Sequence, residues 1–359
     1  MTDSPDPRAN PDLAAHAEAE RAFLDAWNSG RLAHAWLICG PKGIGKATLA
    51  FRIARFVLAG GGDGGGLFGG APDSLHIPGE HPVFHRVASG GHADLRVVTR
   101  GWSDDKKTRL RNDIVIDDVR GIGGFLALTP AEGGWRVVVI DAADEMNRNA
   151  ANAVLKVLEE PPRNALILMV SHSPGRLLPT IRSRCRRLSL SPLPEAGVAD
   201  RLRRHRPAQA DDDVAALARL AEGSIGKALG LAEQGGLGLY RDLVGLLQTL
   251  PRLDVPALHA FADRVGRAEA DAAWRTVTEL FGWWLARLIR LGGRQGGVTE
   301  VVAGEGEVMA RLLAAGGLER WLEVWEKVTT VFARTDAVNL DRKQALLTAF
   351  LAVERLARG

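Results

Sequence analysis

Four short stretches of this chain carry residues that chemistry can use. Gly40-Pro-Lys-Gly-Ile-Gly45-Lys46 has the spacing of a phosphate-binding loop. In such a loop successive backbone N–H groups curl around phosphate oxygens, and the lysine reaches the outer phosphates. Val137-Val-Val-Ile140-Asp141 reads as a buried strand ending in a carboxylate that could face a metal ion through water. Ala165 to Ser171 reads as another strand, ending in a hydroxyl. Ile181-Arg182-Ser183-Arg184-Cys185 offers a planar, permanently charged guanidinium, suited to the negative charge that spreads over phosphoryl oxygens during transfer; standing alone, Arg184 reads instead as a surface or salt-bridged arginine in a basic cluster with Arg182, Arg186 and Arg187.

Two reactive positions in this set are filled by alanine. The loop motif needs Ser or Thr after its lysine to hold Mg²⁺, and here Ala47 follows Lys46. Thr48 comes one residue late, which turns it roughly 100° away on a helix. Asp141 is followed by Ala142-Ala143, where hydrolases of this kind place a glutamate that positions water. Asp144 and Glu145 come later and are expected to start or cap the next helix. The loop therefore has two readings: a weak phosphate grip, or a retained turn that packs strand on helix. Without the hydroxyl and the glutamate, hydrolysis by this chain itself is not expected.

The elements that position these residues follow from periodicity. Ala35–Cys39, Leu95–Thr99, Arg136–Ile140 and 165–171 are strand candidates. Lys46–Ala59 is a helix with Leu49, Ile53, Phe56 and Val57 on one face. Strands separated by helices predict a parallel α/β sheet flanked by helices, in a RecA-like arrangement. Gly60–Gly70 holds eight glycines in eleven residues, and 60–75 is expected to be a surface insertion. Ser191-Pro-Leu-Pro194 marks a boundary, after which strand signals stop. The expected division is a disordered tail over 1–12, an α/β domain over 13–191, a small helical domain over 192–237 and an all-α domain over 238–359. Trp283, Trp284, Trp321 and Trp325 fall in the last, at spacings that suit a helical core or a packing surface for partners.

Bulk composition excludes several classes. Over 359 residues the formal charge is +3, from 46 basic and 43 acidic side chains, too balanced to argue for nucleic acid by itself. Two cysteines, Cys39 and Cys185, are far apart in sequence and fit a reducing compartment better than a disulfide scaffold. No apolar run approaches the ~20 residues of a membrane span, and the N-terminus has no export pattern, so a cytoplasmic protein is expected. His76, His81, His85 and His92 match no zinc-ligand spacing, and no zinc is expected. Lys106, Lys107, Arg109 and Arg111 form a basic cluster, but Asp104, Asp105 and Asp113 around it favour a solvated loop.

One combination is more specific than the rest. Asn152-Ala-Val-Leu-Lys156-Val-Leu-Glu159-Glu160-Pro161-Pro162, then Ser171, then Arg182-Ser183-Arg184-Cys185, resembles the clamp-loader branch of the AAA+ proteins. So do the leader Gly30-Arg-Leu-Ala-His34 and the stretch Gly223-Ser-Ile-Gly-Lys-Ala-Leu229. The likeness covers roughly residues 15–235. It implies an AAA+ domain, a lid domain and a helical collar within a ring that loads a sliding clamp onto primer–template DNA at the replisome. Ala47 and Ala142 make the chain look like the ring member that sits beside the gamma/tau and delta subunits, not like the hydrolysing gamma/tau type, which remains the alternative.

The resemblance also implies roles for individual residues. Arg184 becomes a catalytic arginine acting in trans on a neighbour's ATP. Gly40, Gly43, Gly45, Lys46, Thr48, Asp141 and Ser171 become a degenerate nucleotide site, with no cofactor required and only vestigial ATP and Mg²⁺ binding. The lid arginine of active relatives falls at Gly226, beside Lys227. A place in a DNA polymerase holoenzyme is implied, without polymerase activity in this chain.

Overall fold

The computed structural model describes residues 6–13, 15–61, 70–103, 110–132, 134–293 and 299–358. They fall into two compact units: 4–194 with 223–226, and 195–222 with 227–359.

The first unit is α/β. Its elements are α1 (Ala17–Asn28), β1 (Ala35–Cys39), α2 (Lys46–Leu58), α3 (Pro82–Ala88), β2 (Leu95–Val98), α4 (Ile116–Val119) and α5 (Ile122–Ala127). They continue with β3 (Arg136–Asp141), α6 (Arg148–Glu159), β4 (Ala165–Ser171), α7 (Pro179–Arg182) and β5 (Arg186–Ser189). The five strands are ordered β2-β3-β4-β1-β5, and every pairing is parallel. Both faces are covered, which is why β1, β3 and β4 are continuous apolar runs and not alternating ones. Alternate residues still divide between two cores. Trp36, Ile38, Val137, Val139, Leu166 and Leu168 pack with the apolar side of α2. Leu37, Val138, Ile140, Ile167 and Met169 pack on the other face with α6.

Three expectations for this unit are corrected. A fifth strand, β5, pairs with β1 in the register Trp36↔Arg186 to Cys39↔Ser189. Only Leu188 in it is buried, so its sequence has no apolar run to announce it. The tail expected to be disordered through residue 12 is held from residue 6 onward. Arg55 donates to the carbonyls of Arg8 (2.8 Å) and Asn10 (2.7 Å), Arg52 donates to that of Pro11 (2.7 Å), and Arg8 lies over the Phe51 ring. Arg55 is nearly inaccessible, and these carbonyls satisfy donors that burial would otherwise strand. Finally, Asp144 and Glu145 do not cap α6. They lie in a 3₁₀ turn, Ala143–Glu145, and Asn147 caps the helix by accepting from the Ala150 N–H at 2.9 Å. Of the glycine-rich insertion and the basic cluster, 62–69 and 104–109 lie outside the described residues.

The second unit is all helical. It comprises α8 (Glu195–His205), α9 (Asp211–Leu220), α10 (Ile225–Glu233, entered from the first unit), α11 (Gly236–Gln248) and α12 (Val255–Val265). The longer α13 (Asp271–Gly292), α14 (Glu305–Ala315), α15 (Leu318–Val338) and α16 (Arg342–Ala357) complete it. The boundary expected at 237/238 falls inside α11, whose N-cap is Gly235 at φ +65°, so the break in the chain precedes it. Trp274, Trp284 and Trp321 are fully buried, and Trp325 donates to the Gly282 carbonyl (3.1 Å), so α13 and α15 are joined through a core. Glu305 is completely buried but receives Tyr240, Arg287 (2.9 Å) and the Val301 N–H (2.9 Å), so its charge is compensated. Among the described residues no helix is long and apolar enough to cross a membrane.

Candidate functional site

In a parallel sheet the strands' C-terminal ends point one way, and the loops there form the usual ligand crevice. Here that edge gathers most of the residues named from the sequence. Cys39 and Ser171 are register partners, as are Asp141 and Val170. The Gly40 N–H donates to the Ser171 carbonyl (3.3 Å), tying the loop to β4. Gly40 has φ +147°, and a Cβ there would stand 2.5 Å from the Leu190 carbonyl oxygen, so no other residue fits. Lys46 opens α2, directly after Gly45.

The loop is turned in on its own chain. Lys46 is buried, and its ammonium donates to the carbonyl of Pro41 within the same loop. Burial pulls its pKa down to about 8, although Asp141 and Asp144 oppose that shift. Burial also raises the Asp141 carboxyl above its ordinary value, with Glu145 adding to the rise. His16 shares a hydrogen bond with the Ile44 carbonyl (2.8 Å). On another side the Gly226 N–H donates to the Gly43 carbonyl (3.0 Å). A Cβ at Gly226 would lie 3.2 Å from Gly43 Cα and O, so the position expected for a lid arginine has its backbone pressed against the loop.

The acidic groups have other work. Asp144 accepts the N–H groups of His172 (2.8 Å) and Ser173 (3.1 Å), which fixes the chain as it leaves β4. Glu145 pairs with Arg100 (2.9 Å). Ser171 is fully buried, and its Oγ finds no hydrogen-bond partner among the described residues. Thr48 is buried on α2. A Mg²⁺–triphosphate site uses a hydroxyl after the loop lysine, and Ala47 supplies none.

The arginine of the second motif stands differently. α7 ends at Arg182, Ser183 caps it, and the Arg184 N–H closes the turn on the Ile181 carbonyl (3.1 Å). The Arg184 guanidinium donates through one terminal nitrogen to the Thr180 carbonyl (3.0 Å) and through the other to Glu159 Oε1 (2.8 Å). Its side chain keeps 35% of its surface exposed, so remaining N–H donors can meet a group from outside the chain. The next arginine, Arg186, lies over the buried Trp36 ring at 4.8 Å and anchors the start of β5. Burial drives the Cys185 thiol up to about 12, which makes it an inert packing group.

Comparison with known proteins fits this arrangement. The profile of the family described as DNA polymerase III, delta subunit, matches residues 15–194. The DNA polymerase III subunit delta prime of Pseudomonas aeruginosa is 32% identical over 263 residues, 72% of this chain and 72% of that one. The chain belongs to the delta prime family of DNA polymerase III. The delta prime subunit of Bacillus subtilis is 33% identical over 172 residues, 48% of this chain and 46% of that protein. The subunit tau of Escherichia coli is 27% identical over 64% of this chain, which spans 33% of that protein.

In this delta prime chain the fold brings Gly40, Lys46, Asp141 and Ser171 to one edge of the sheet, while Arg184 forms a separate, partly exposed corner. Two of the four histidines have structural positions: His81 accepts from the Val83 N–H (3.1 Å) to cap α3, and buried His92 accepts from the Asp94 N–H (3.2 Å). Sequence reasoning quoted Glu159 as part of a motif but gave it no role. The clue was available: an acid on the last residue of a helix opposes the helix dipole, so it asks for a cation nearby.

Proposed function

We propose that this chain is a clamp-loader subunit that does not burn nucleotide itself and that supplies Arg184 to the ATP held by an adjacent gamma/tau subunit. The observation that carries the reading is the contrast at the two sites. Lys46 is buried and bonds back to its own loop with Ala47 beside it, while Arg184 is half-buried, held by two acceptors, with three N–H donors left. Phosphoryl transfer to water spreads negative charge over three γ-oxygens, and a guanidinium matches it through paired hydrogen bonds. Supplied by a neighbour, that charge makes hydrolysis depend on correct assembly. The partners in this reading are gamma/tau and delta subunits, the sliding clamp and primer–template DNA, with phosphate contacts dominating the last. No cofactor is required in this chain, and any affinity for ATP or Mg²⁺ is vestigial.

The test is reconstitution of the complex with the full-length chain carrying Arg184→Ala. Assembly is expected to be normal, while DNA-stimulated ATP hydrolysis and clamp loading collapse. Normal turnover would refute the arginine's role. Brisk ATP turnover by the isolated wild-type chain would overturn the non-hydrolysing assignment in favour of a gamma/tau-type ATPase.

A further inference from the structure

We propose that Glu159 is the positioning residue for Arg184, aiming its guanidinium through the 2.8 Å ion pair; this rests on the reading of Arg184 given above.

The geometry is built from both ends. Glu159 is the last residue of α6, and the chain then leaves the helix through Glu160 into Pro161-Pro162. A residue before proline is biased away from helical angles, so the helix stops there and the place of the Glu159 Cα is fixed. Arg184 is fixed by the end of α7 and by the Thr180 carbonyl. A long arginine side chain with one such anchor could still swing. The second acceptor, on a different element 25 residues upstream, removes that freedom, and it uses the other terminal nitrogen. Two of the five N–H donors are then committed, and the orientation of the remaining three is set.

The carboxylate is 49% exposed, so as an ion pair it contributes little to stability. Its placement against the helix dipole is unfavourable by itself. The arrangement is better explained by what it does for the arginine, because a guanidinium already aimed need not reorganise when charge develops on the phosphate. The pair is also partly exposed, 35% at Arg184 and 49% at Glu159, so it is open to a group from outside the chain.

The experiment uses the reconstituted complex and a double-mutant cycle. Glu159→Ala is expected to lower kcat for DNA-stimulated ATP hydrolysis by about tenfold, on the scale of a modest misplacement of a catalytic group. The KM for ATP and complex assembly are expected to stay unchanged. Glu159→Gln, which keeps an acceptor oxygen, is expected to recover most of the rate. In an Arg184→Ala background Glu159→Ala is expected to add nothing, since the group it serves has gone. A kcat within twofold of wild type, or a rise, for Glu159→Ala would overturn the proposal. So would an equal loss in both backgrounds, or a loss traced to poorer assembly, since either marks a merely structural role. If Arg184→Ala itself turns over normally, the arginine reading fails, and that result is distinct from a slow Arg184→Ala beside an unaffected Glu159→Ala.

Discussion

The phosphate loop and the Arg184 corner lie in one α/β unit, yet they are built differently. The loop follows the backbone path of a phosphate cradle, and its groups bond inward. Its lysine, its Ile44 carbonyl and its Gly43 carbonyl all bond within the chain. The corner has kept its openness, and its arginine is steadied without being covered. Gly40 is required by the Leu190 backbone whether or not a phosphate ever arrives. Arg184 is half-buried, held by the Thr180 carbonyl and by Glu159.

That contrast can be broken most sharply at Arg184. Arg184→Ala is expected to slow hydrolysis at the one neighbouring site it serves by about 10³-fold, at the lower end for arginines supplied in trans. Single-turnover hydrolysis in the assembled complex measures it, and a loss under tenfold would erase the distinction between the two regions. Next comes the pH response of Lys46. Its pKa is about 8 in the folded chain and near 10.5 when exposed. Between those values the unfolded chain binds more protons than the folded one, so this group makes stability rise with pH from 8 toward 10.5. Urea melts of Lys46→Met should lose that rise and be more stable than wild type at pH 7; an unchanged slope would mean that the lysine is not buried as described. In clamp loading, Lys46→Ala is expected to stay within about twofold of wild type, since its ammonium is buried and bonds within the loop. A tenfold loss would show a phosphate loop still at work. The smallest effect is expected at Ser171→Ala. Removing a buried hydroxyl that lacks a partner should leave stability unchanged or raise it by up to about 1 kcal/mol, with loading intact. A marked loss of loading would mean that the hydroxyl has a partner in the assembly.

Much of this was legible in the sequence. β1, β3 and β4 are apolar runs bounded by turn residues, and the helices around them carry a plain 3.6-residue period. What could not be read was long-range. β5 has two exposed arginines and one buried leucine, and it is a strand only because β1 offers a free edge. Residues 6–12 show no periodicity, and they are ordered by Arg52 and Arg55 reaching back across more than forty positions. Asp144 looked like a helix cap because it precedes a helix, but its acceptors' work lies 28 residues away at His172. The same limit applied within the site. Arg184 could be picked out from its motif, whereas its link to Glu159 depends on how α6 and α7 come together.

Strand β5 has one more consequence. An outermost strand exposes a ladder of unpaired backbone groups to which foreign sheets can zip. This one is four residues long and starts with two exposed arginines, so any would-be zipper meets crowding cations before it gains two rungs. The side chains that follow Arg184 and Cys185 thereby also act as a guard against aggregation while the polypeptide is on its own.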